Sequence, residues 1–132
     1  MTALMELLKD APEQQFAPGE TIIRQGQALT KFYVLKEGEV AVGRDDTLVS
    51  RSSSVGSTFG EISALLDIKT TASVAATQPT TMVVVDDLIN FLEENRGTAI
   101  EIARLLAHRV RWMTKTYAEE MDDGDSAFWR YR

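Results

Sequence analysis

The sequence predicts an α+β domain, in which an antiparallel β-sandwich or barrel of about eight strands lies between a short N-terminal helix and a long C-terminal helix. The chain has 132 residues, which is enough for one domain. Residues 16–86 contain short β-branched segments separated by glycine or proline turns, a pattern typical of antiparallel strands. Residues 87–121 instead carry apolar side chains at helical spacing.

The N-terminal part is predicted to contain one helix and the strands that follow it. Leu4, Leu7 and Leu8 share one face of a helix that ends by Pro12, so residues 1–15 are predicted as a helical segment. Six strands are predicted over the β-roll at residues 20–23, 32–35, 40–42, 47–49, 72–76 and 81–85.

The C-terminal part is predicted to contain two helices. Either Asp86 or Asp87 is predicted to cap the first helix, because a carboxylate accepts hydrogen bonds from the free amides of the first turn. Gly97 and Thr98 are predicted to break that helix and to cap the long second one. The helices end at residue 121, and residues 122–132 form a tail.

Composition excludes several classes of function. The chain has no cysteine and one histidine, which excludes a disulfide scaffold, a thiol nucleophile and a histidine-rich metal site. The net charge of −6 disfavours direct DNA binding and binding to an anionic membrane, and no apolar run is long enough for membrane insertion. We expect no enzyme activity, because the chain offers no nucleophile–base pair. The lack of cysteine and of a signal-peptide pattern predicts a cytoplasmic location.

One segment inside the β region has the pattern of a helical turn after a glycine, at residues 59–66. The first amides of a helix lack intrahelical acceptors, and a preceding glycine lets a ligand approach them, which together predict an anion pocket. Glu61 fits such a pocket if it accepts a hydrogen bond from a sugar hydroxyl. The alternative interpretation is a solvated carboxylate in a surface turn.

The stretch from residue 16 to about residue 120 resembles the cyclic nucleotide-binding domain family, which includes catabolite activators and the regulatory subunits of cyclic-nucleotide-dependent kinases. The matching segments are residues 16–20, 25–27, 32–40, 56–62 and 71–74. The resemblance implies a jelly-roll-like β-roll, an antiparallel double-stranded β-helix, with a cassette for the cyclic phosphate at residues 59–71.

The resemblance also implies a ligand site in this cassette. Its predicted residues are Phe59, Gly60, Glu61, Ile62, Ser63, Thr70 and Thr71. Gly60 and the amides after it would hold the cyclic phosphate, and Glu61 would accept from the ribose 2′-hydroxyl. Thr70 stands where the family has an arginine that pairs with the phosphate. The arginine–phosphate contact contributes about 1.5–3 kcal/mol to binding, so its loss lowers affinity by roughly 10- to 100-fold.

Three consequences follow for position 70 and the C-terminal part. We expect cAMP or cGMP to bind weakly, or an altered ligand to bind instead. We also expect Thr70→Arg to strengthen binding. The alternative interpretation of Thr70 is a β-forming residue that opens a strand and has no ligand role. The resemblance also implies that Thr114 on the long helix stands where a family member reads the base. In the tail, Phe128, Trp129 and Tyr131 are predicted to cover either their own domain or a partner.

Two functions are carried forward. The first is a sensing regulatory domain for a cyclic-nucleotide-like small molecule, which acts in trans on a downstream protein that the sequence does not identify. The second is a degenerate member of the family that binds no nucleotide and serves as a protein-interaction or dimerisation module. About ten residues follow Asp122, too few for a helix-turn-helix, so we predict a standalone domain without a DNA-binding part.

The long helix carries an apolar seam with heptad-like spacing, which predicts a homodimer. Its residues are Ala103, Leu106, Val110, Met113 and Tyr117. A second stripe of Ile102, Leu105 and Trp112 is assigned to the helix's own β-roll. An exposed seam of this length favours association, and two-fold symmetry is the commonest way to bury it.

Val110→Glu is expected to convert this dimer into a folded monomer. Near a two-fold axis, Val110 meets its own copy, and two carboxylates in an apolar seam cost several kcal/mol through desolvation and repulsion. Light scattering measures the change in mass. A wild-type chain that is already monomeric at tens of micromolar would refute the dimer.

Overall fold

The computed structural model describes residues 3–120, with side chains as far as residue 116. The chain divides into two units, residues 1–99 and residues 100–132. Over the described residues its elements are α1 (Ala3–Leu7), β1 (Glu13–Phe16), β2 (Thr21–Ile23), β3 (Phe32–Glu37), β4 (Val40–Arg44), β5 (Thr47–Ser52), β6 (Thr58–Phe59), α2 (Glu61–Leu66), β7 (Ser73–Ala76), β8 (Thr80–Val85), α3 (Leu88–Glu94) and α4 (Arg96–Glu120).

The strands form two antiparallel sheets of four strands each. One sheet has the order β1-β8-β3-β6 and the other the order β2-β7-β4-β5. This architecture, with its short N-terminal helix and long C-terminal helix, confirms the predicted fold class. Each of the six predicted strands overlaps an observed one, although their ends differ by up to three residues.

The core contains buried side chains from six of the eight strands, with one each from β1, β2 and β4 and two each from β3, β7 and β8. Its members are Phe16, Ile23, Tyr33, Leu35, Val40, Val74, Ala76, Met82 and Val84. The rings of Phe16 and Tyr33 meet edge to face, with centroids 6.4 Å apart. Burial raises the pKa of the Tyr33 hydroxyl, and the negative charge of Asp86 raises it further.

Two strands were not predicted, and both depend on their neighbours. The first three residues of β1 lie in the segment predicted as helical. They are polar and exposed and give no strand pattern, and only Phe16 is buried. β1 is an edge strand that pairs only with β8. β6 has two residues, and Phe59 pairs with Tyr33 there. The predicted helix at residues 59–66 therefore begins two residues later, at Glu61.

The break between the C-terminal helices lies at Asn95, so the predicted break at Gly97 and Thr98 is wrong. The Asn95 side chain donates to the carbonyl of Phe91 (2.8 Å), and its backbone N–H donates to Leu92 (3.3 Å), which ends α3. Its own carbonyl accepts from the amide of Ala99 (3.1 Å) and so begins α4. One asparagine closes the first helix and opens the second.

The long helix leaves large apolar side chains exposed. Within the stripe that the sequence assigns to the β-roll, Trp112 is 66% exposed and Ile102 is buried. The packing of this stripe on the β-roll stays a prediction. On the predicted dimer seam, Val110 and Met113 are 63% and 61% exposed. Across residues 3–120, none of the helices combines the length and apolar character that a bilayer crossing needs.

β5 is an edge strand with an irregular register. Val42 of β4 lies opposite Ser50, and the next residue, Gly43, lies opposite Leu48, so Val49 is an extra residue in a β-bulge. Asp45 and Asp46, both with positive φ, form the two-residue turn that joins β4 to β5.

Asp87→Ala is expected to lower the free energy of unfolding by about 1 kcal/mol, because the Asp87 carboxylate accepts a hydrogen bond from the amide of Asn90 at the N-terminus of α3 (3.2 Å). Asp86→Ala is the matched control. The Asp86 carboxylate caps no helix; it forms an exposed ion pair with Lys31 (3.9 Å), worth about 0–1 kcal/mol. Urea unfolding measures both, and equal losses would contradict the assignment of Asp87 as the cap.

Candidate functional site

A cavity of about 220 Å³ opens between the two sheets beside α2. It brings together all seven cassette residues that the sequence predicts: Phe59, Gly60, Glu61, Ile62, Ser63, Thr70 and Thr71. Five further residues complete its lining, namely Ile23, Val42, Thr58, Ala72 and Val74. Ile23, Val42 and Val74 come from the sheet that does not contain β6, and only strand pairing places them here. Thr58 and Ala72, by contrast, are chain neighbours of predicted residues.

Gly60 fixes the entry of the chain into α2. Its φ of +91° is in the left-handed region, where a side chain is strained. A Cβ atom built on Gly60 would lie 2.6 Å from the carbonyl oxygen of Lys31 and 3.1 Å from a methyl group of Leu29. Glycine is therefore required here both by backbone conformation and by the close approach of a second backbone.

The N-terminus of α2 contributes backbone amides to the site. The helix has six residues, and its first hydrogen bond runs from the amide of Ala64 to the carbonyl of Gly60 (3.0 Å). The amides of residues 61–63 precede that bond, at positions where a helix has no intrahelical acceptors. All three residues line the cavity.

The Ser63 hydroxyl acts within the fold. It contacts the carbonyl of Ile68 at 2.5 Å and that of Leu29 at 3.4 Å, so it attaches α2 to the segment that follows and to the segment before β3. Its single proton is committed to these carbonyls. The part of Ser63 that can serve a ligand is therefore its backbone amide.

Glu61 is buried in the cavity wall. It is 4% exposed, so the alternative interpretation as a solvated turn carboxylate is wrong. Of the twelve residues that line the cavity, Glu61 alone carries a charge, and none is lysine or arginine. The cavity thus combines one carboxylate with hydroxyls, backbone amides and apolar side chains.

Thr70 is 7% exposed and its hydroxyl already has two partners. The Oγ1 atom donates to the carbonyl of Arg24 (2.6 Å) and accepts from the amide of Gln27 (2.9 Å). The Thr70 amide also donates to the carbonyl of Gln27 (2.8 Å), and the Thr70 carbonyl accepts from the amide of Gly26 (2.8 Å). Thr70 therefore lies in the cavity wall with its polar groups bonded to residues 24–27.

The predicted residues on the long helix belong to the second unit. Thr114 is exposed on α4, and its predicted contact with a base stays a prediction. The same holds for the dimer seam of Ala103, Leu106, Val110, Met113 and Tyr117. The aromatic tail with Phe128, Trp129 and Tyr131 lies outside the described residues.

Comparison with known proteins assigns the family. The family described as "Cyclic nucleotide-binding domain" matches residues 13–95. The chain belongs to this family, which confirms the resemblance seen in the sequence.

Relatives in this family are much longer than the chain. A cAMP-dependent protein kinase regulatory subunit from Hypocrea atroviridis is 35% identical over 117 residues, which is 87% of this chain and 24% of the subunit. The cyclic nucleotide-gated channel alpha-2 of Homo sapiens is 43% identical over 67 residues, 50% of this chain and 10% of the channel. The chain thus spans between a tenth and a quarter of these proteins.

Solved structures support the fold. The Thermus thermophilus Catabolite Activator Protein has a TM-score of 0.71 at 23% identity, over 85% of this chain and 55% of that one. PKAR CBD2 bound to Sp-2Cl-cAMPS has a TM-score of 0.65 at 22% identity, over 89% of this chain and 86% of that one. At these identities the likeness concerns the fold.

Gly60→Ala is expected to destabilise the fold more than Gly19→Ala, which is its matched control. Gly19 has a similar φ of +86°, but a Cβ there would meet nothing within 4 Å. The conformational cost of about 1–2 kcal/mol applies to both variants. The clash with the Lys31 carbonyl adds about 1–3 kcal/mol at Gly60 alone. Urea unfolding measures the free energy of unfolding of both variants. Equal losses would contradict the prediction, because the backbones at Gly60 and Lys31 would then move apart without an energetic cost.

Proposed function

We propose that this domain senses a cyclic-nucleotide-like small molecule and regulates a partner protein in trans. The observation that carries the proposal is the assembly of all seven predicted cassette residues around one cavity. Six of its lining residues are consecutive, from Thr58 to Ser63, and they lie within the region that matches the family. The regulatory subunit and channel among the relatives make a signalling role the natural one for this chain.

The proposed ligand would be held mainly by backbone groups. The amides of residues 61–63 would bind the cyclic phosphate, since anions are stabilised at the N-terminus of a helix. The buried Glu61 carboxylate would accept a hydrogen bond from the ribose 2′-hydroxyl. Thr71 also lines the cavity, and its hydroxyl and amide would reach the phosphate.

Binding is proposed to be weak. No basic side chain lines the cavity, so the phosphate charge would be balanced by dipoles alone. The cavity of about 220 Å³ is also smaller than the roughly 300–1,000 Å³ of sites that enclose drug-sized ligands. The lining residues would therefore enclose only part of a nucleotide.

The same observations favour the second function, a degenerate member of the family that serves as an interaction module. A cavity without a cation is what such a member would retain after losing its ligand. The dimer through the seam on α4 is compatible with either function, because Val110 and Met113 are exposed in the single chain. We propose a cytoplasmic, non-enzymatic protein in both cases.

Titration calorimetry with cAMP and cGMP decides between the two functions. The sensing function expects saturable binding that weakens by roughly 10- to 100-fold in Glu61→Gln, because a hydrogen bond to a charged group is worth about 1.5–3 kcal/mol. Glu37→Gln, an exposed carboxylate at the end of β3, is the matched control and should bind as the wild type does. No binding of either nucleotide to the wild type would refute sensing of these two ligands.

The 2′-deoxy form of cAMP tests the role of Glu61. If the carboxylate accepts from the 2′-hydroxyl, the deoxy ligand binds the wild type more weakly, and Glu61→Gln adds little to that loss. Additive losses would place Glu61 elsewhere in the site.

A further inference from the structure

Four hydrogen bonds connect Thr70 to residues 24–27, which we call the 24–27 loop. The Thr70 backbone exchanges two of them with Gly26 and Gln27, as strands do. The Thr70 hydroxyl makes the other two, to the carbonyl of Arg24 and the amide of Gln27. A fifth bond runs beside them, from the amide of Gln25 to the hydroxyl of Ser73 (2.9 Å).

These bonds join the two segments that form one wall of the cavity. The 24–27 loop follows directly after Ile23, and Thr70 comes directly before Thr71. Both Ile23 and Thr71 line the cavity. The spacing between these two lining residues is therefore set by the bonds between Thr70 and the loop, two of which the Thr70 hydroxyl makes.

The 24–27 loop is also held at its far side. The Gln25 side chain donates to the Asp45 carboxylate (2.9 Å) and accepts from the Asp45 amide (2.9 Å), so the loop is attached to the turn between β4 and β5. Arg24, Gly26 and Gln27 are exposed, and no large apolar side chain of this loop enters the core. Its position therefore depends on hydrogen bonds more than on packing.

We infer that Thr70 is a positioning residue, whose buried hydroxyl holds the 24–27 loop against the segment before β7 and thereby sets the affinity of the cavity for a cyclic nucleotide. This inference rests on the proposed function as far as affinity is concerned. It assigns a role to the position where the family resemblance implies a direct phosphate contact. The hydroxyl acts on the ligand through the loop, since its donor proton is already used by Arg24.

Thr70→Val is the primary test, because valine has the shape of threonine without the hydroxyl. Hydrogen exchange at the amides of Gly26 and Gln27 is expected to accelerate by about five- to tenfold, because the variant lacks the hydroxyl and its hydrogen bonds to the loop. The affinity for cAMP is expected to fall by a similar factor. Thr70→Ser, which keeps the hydroxyl, should restore both values to within about twofold of the wild type.

Thr77→Val is the matched control for a lost threonine hydroxyl. Thr77 lies after β7 where Thr70 lies before it, and its hydroxyl donates to Glu39 (2.7 Å to Oε1). Thr77 is not among the residues that line the cavity. This variant should leave cAMP affinity and exchange at Gln27 unchanged. A loss in Thr77→Val equal to that in Thr70→Val would overturn the inference, because general destabilisation would then explain both.

Thr70→Arg separates positioning from direct contact. If Thr70 is a positioning residue, Thr70→Arg binds cAMP more weakly and its Gln27 amide exchanges faster. If position 70 contacts the phosphate directly, as the sequence predicts, Thr70→Arg binds cAMP more tightly. Tighter binding with unchanged exchange overturns the inference. If the wild type binds no cyclic nucleotide, the proposed function fails, and the exchange rates in Thr70→Val and Thr70→Ser alone confirm or overturn the positioning of the loop.

Discussion

The close approach of two backbones at Gly60 determines where α2 begins, and the geometry of the cavity follows from it. The Lys31 carbonyl occupies the place that a side chain at position 60 would need. This contact lets the chain leave β6 and enter a helix within one residue. Glu61 consequently enters the wall as a buried carboxylate, and the first-turn amides of α2 come to the same cavity.

The β-roll is predictable from local patterns, and its exceptions are elements that their neighbours decide. β3 and β8 have runs of β-branched and aromatic residues, so their strands are visible in the sequence. β1 is polar because it lies at a sheet edge, and β6 is too short to show a period. The helix break is at Asn95 and not at the predicted Gly97, because the Asn95 side chain caps the carbonyl of Phe91. The nearby glycine is the stronger break signal in the sequence, so the asparagine is overlooked.

The candidate site shows the same division. Residues 59–63 are found from sequence because a glycine followed by a helical turn is a local feature. Position 70 is located by spacing, but its partners are not, since Arg24 is 46 residues away. The family resemblance seen in the sequence implies that threonine at this position replaces an arginine and loses a phosphate contact. The structure shows that the hydroxyl has acquired partners of its own, and a buried side chain of that size could not be exchanged for arginine without releasing them.

The bulge at Val49 has a consequence for the behaviour of the protein at high concentration. β5 is the outer strand of its sheet, and Leu48 and Val49 are 55% and 62% exposed, a combination that can recruit the strands of other molecules. The extra residue interrupts the regular row of backbone donors and acceptors along that edge, so an incoming strand can match it over only a few residues. Arg51 on the same strand forms an ion pair with Glu39 of the neighbouring segment (3.6 Å). The irregular register thus shortens the stretch of this edge along which a strand of another molecule could pair.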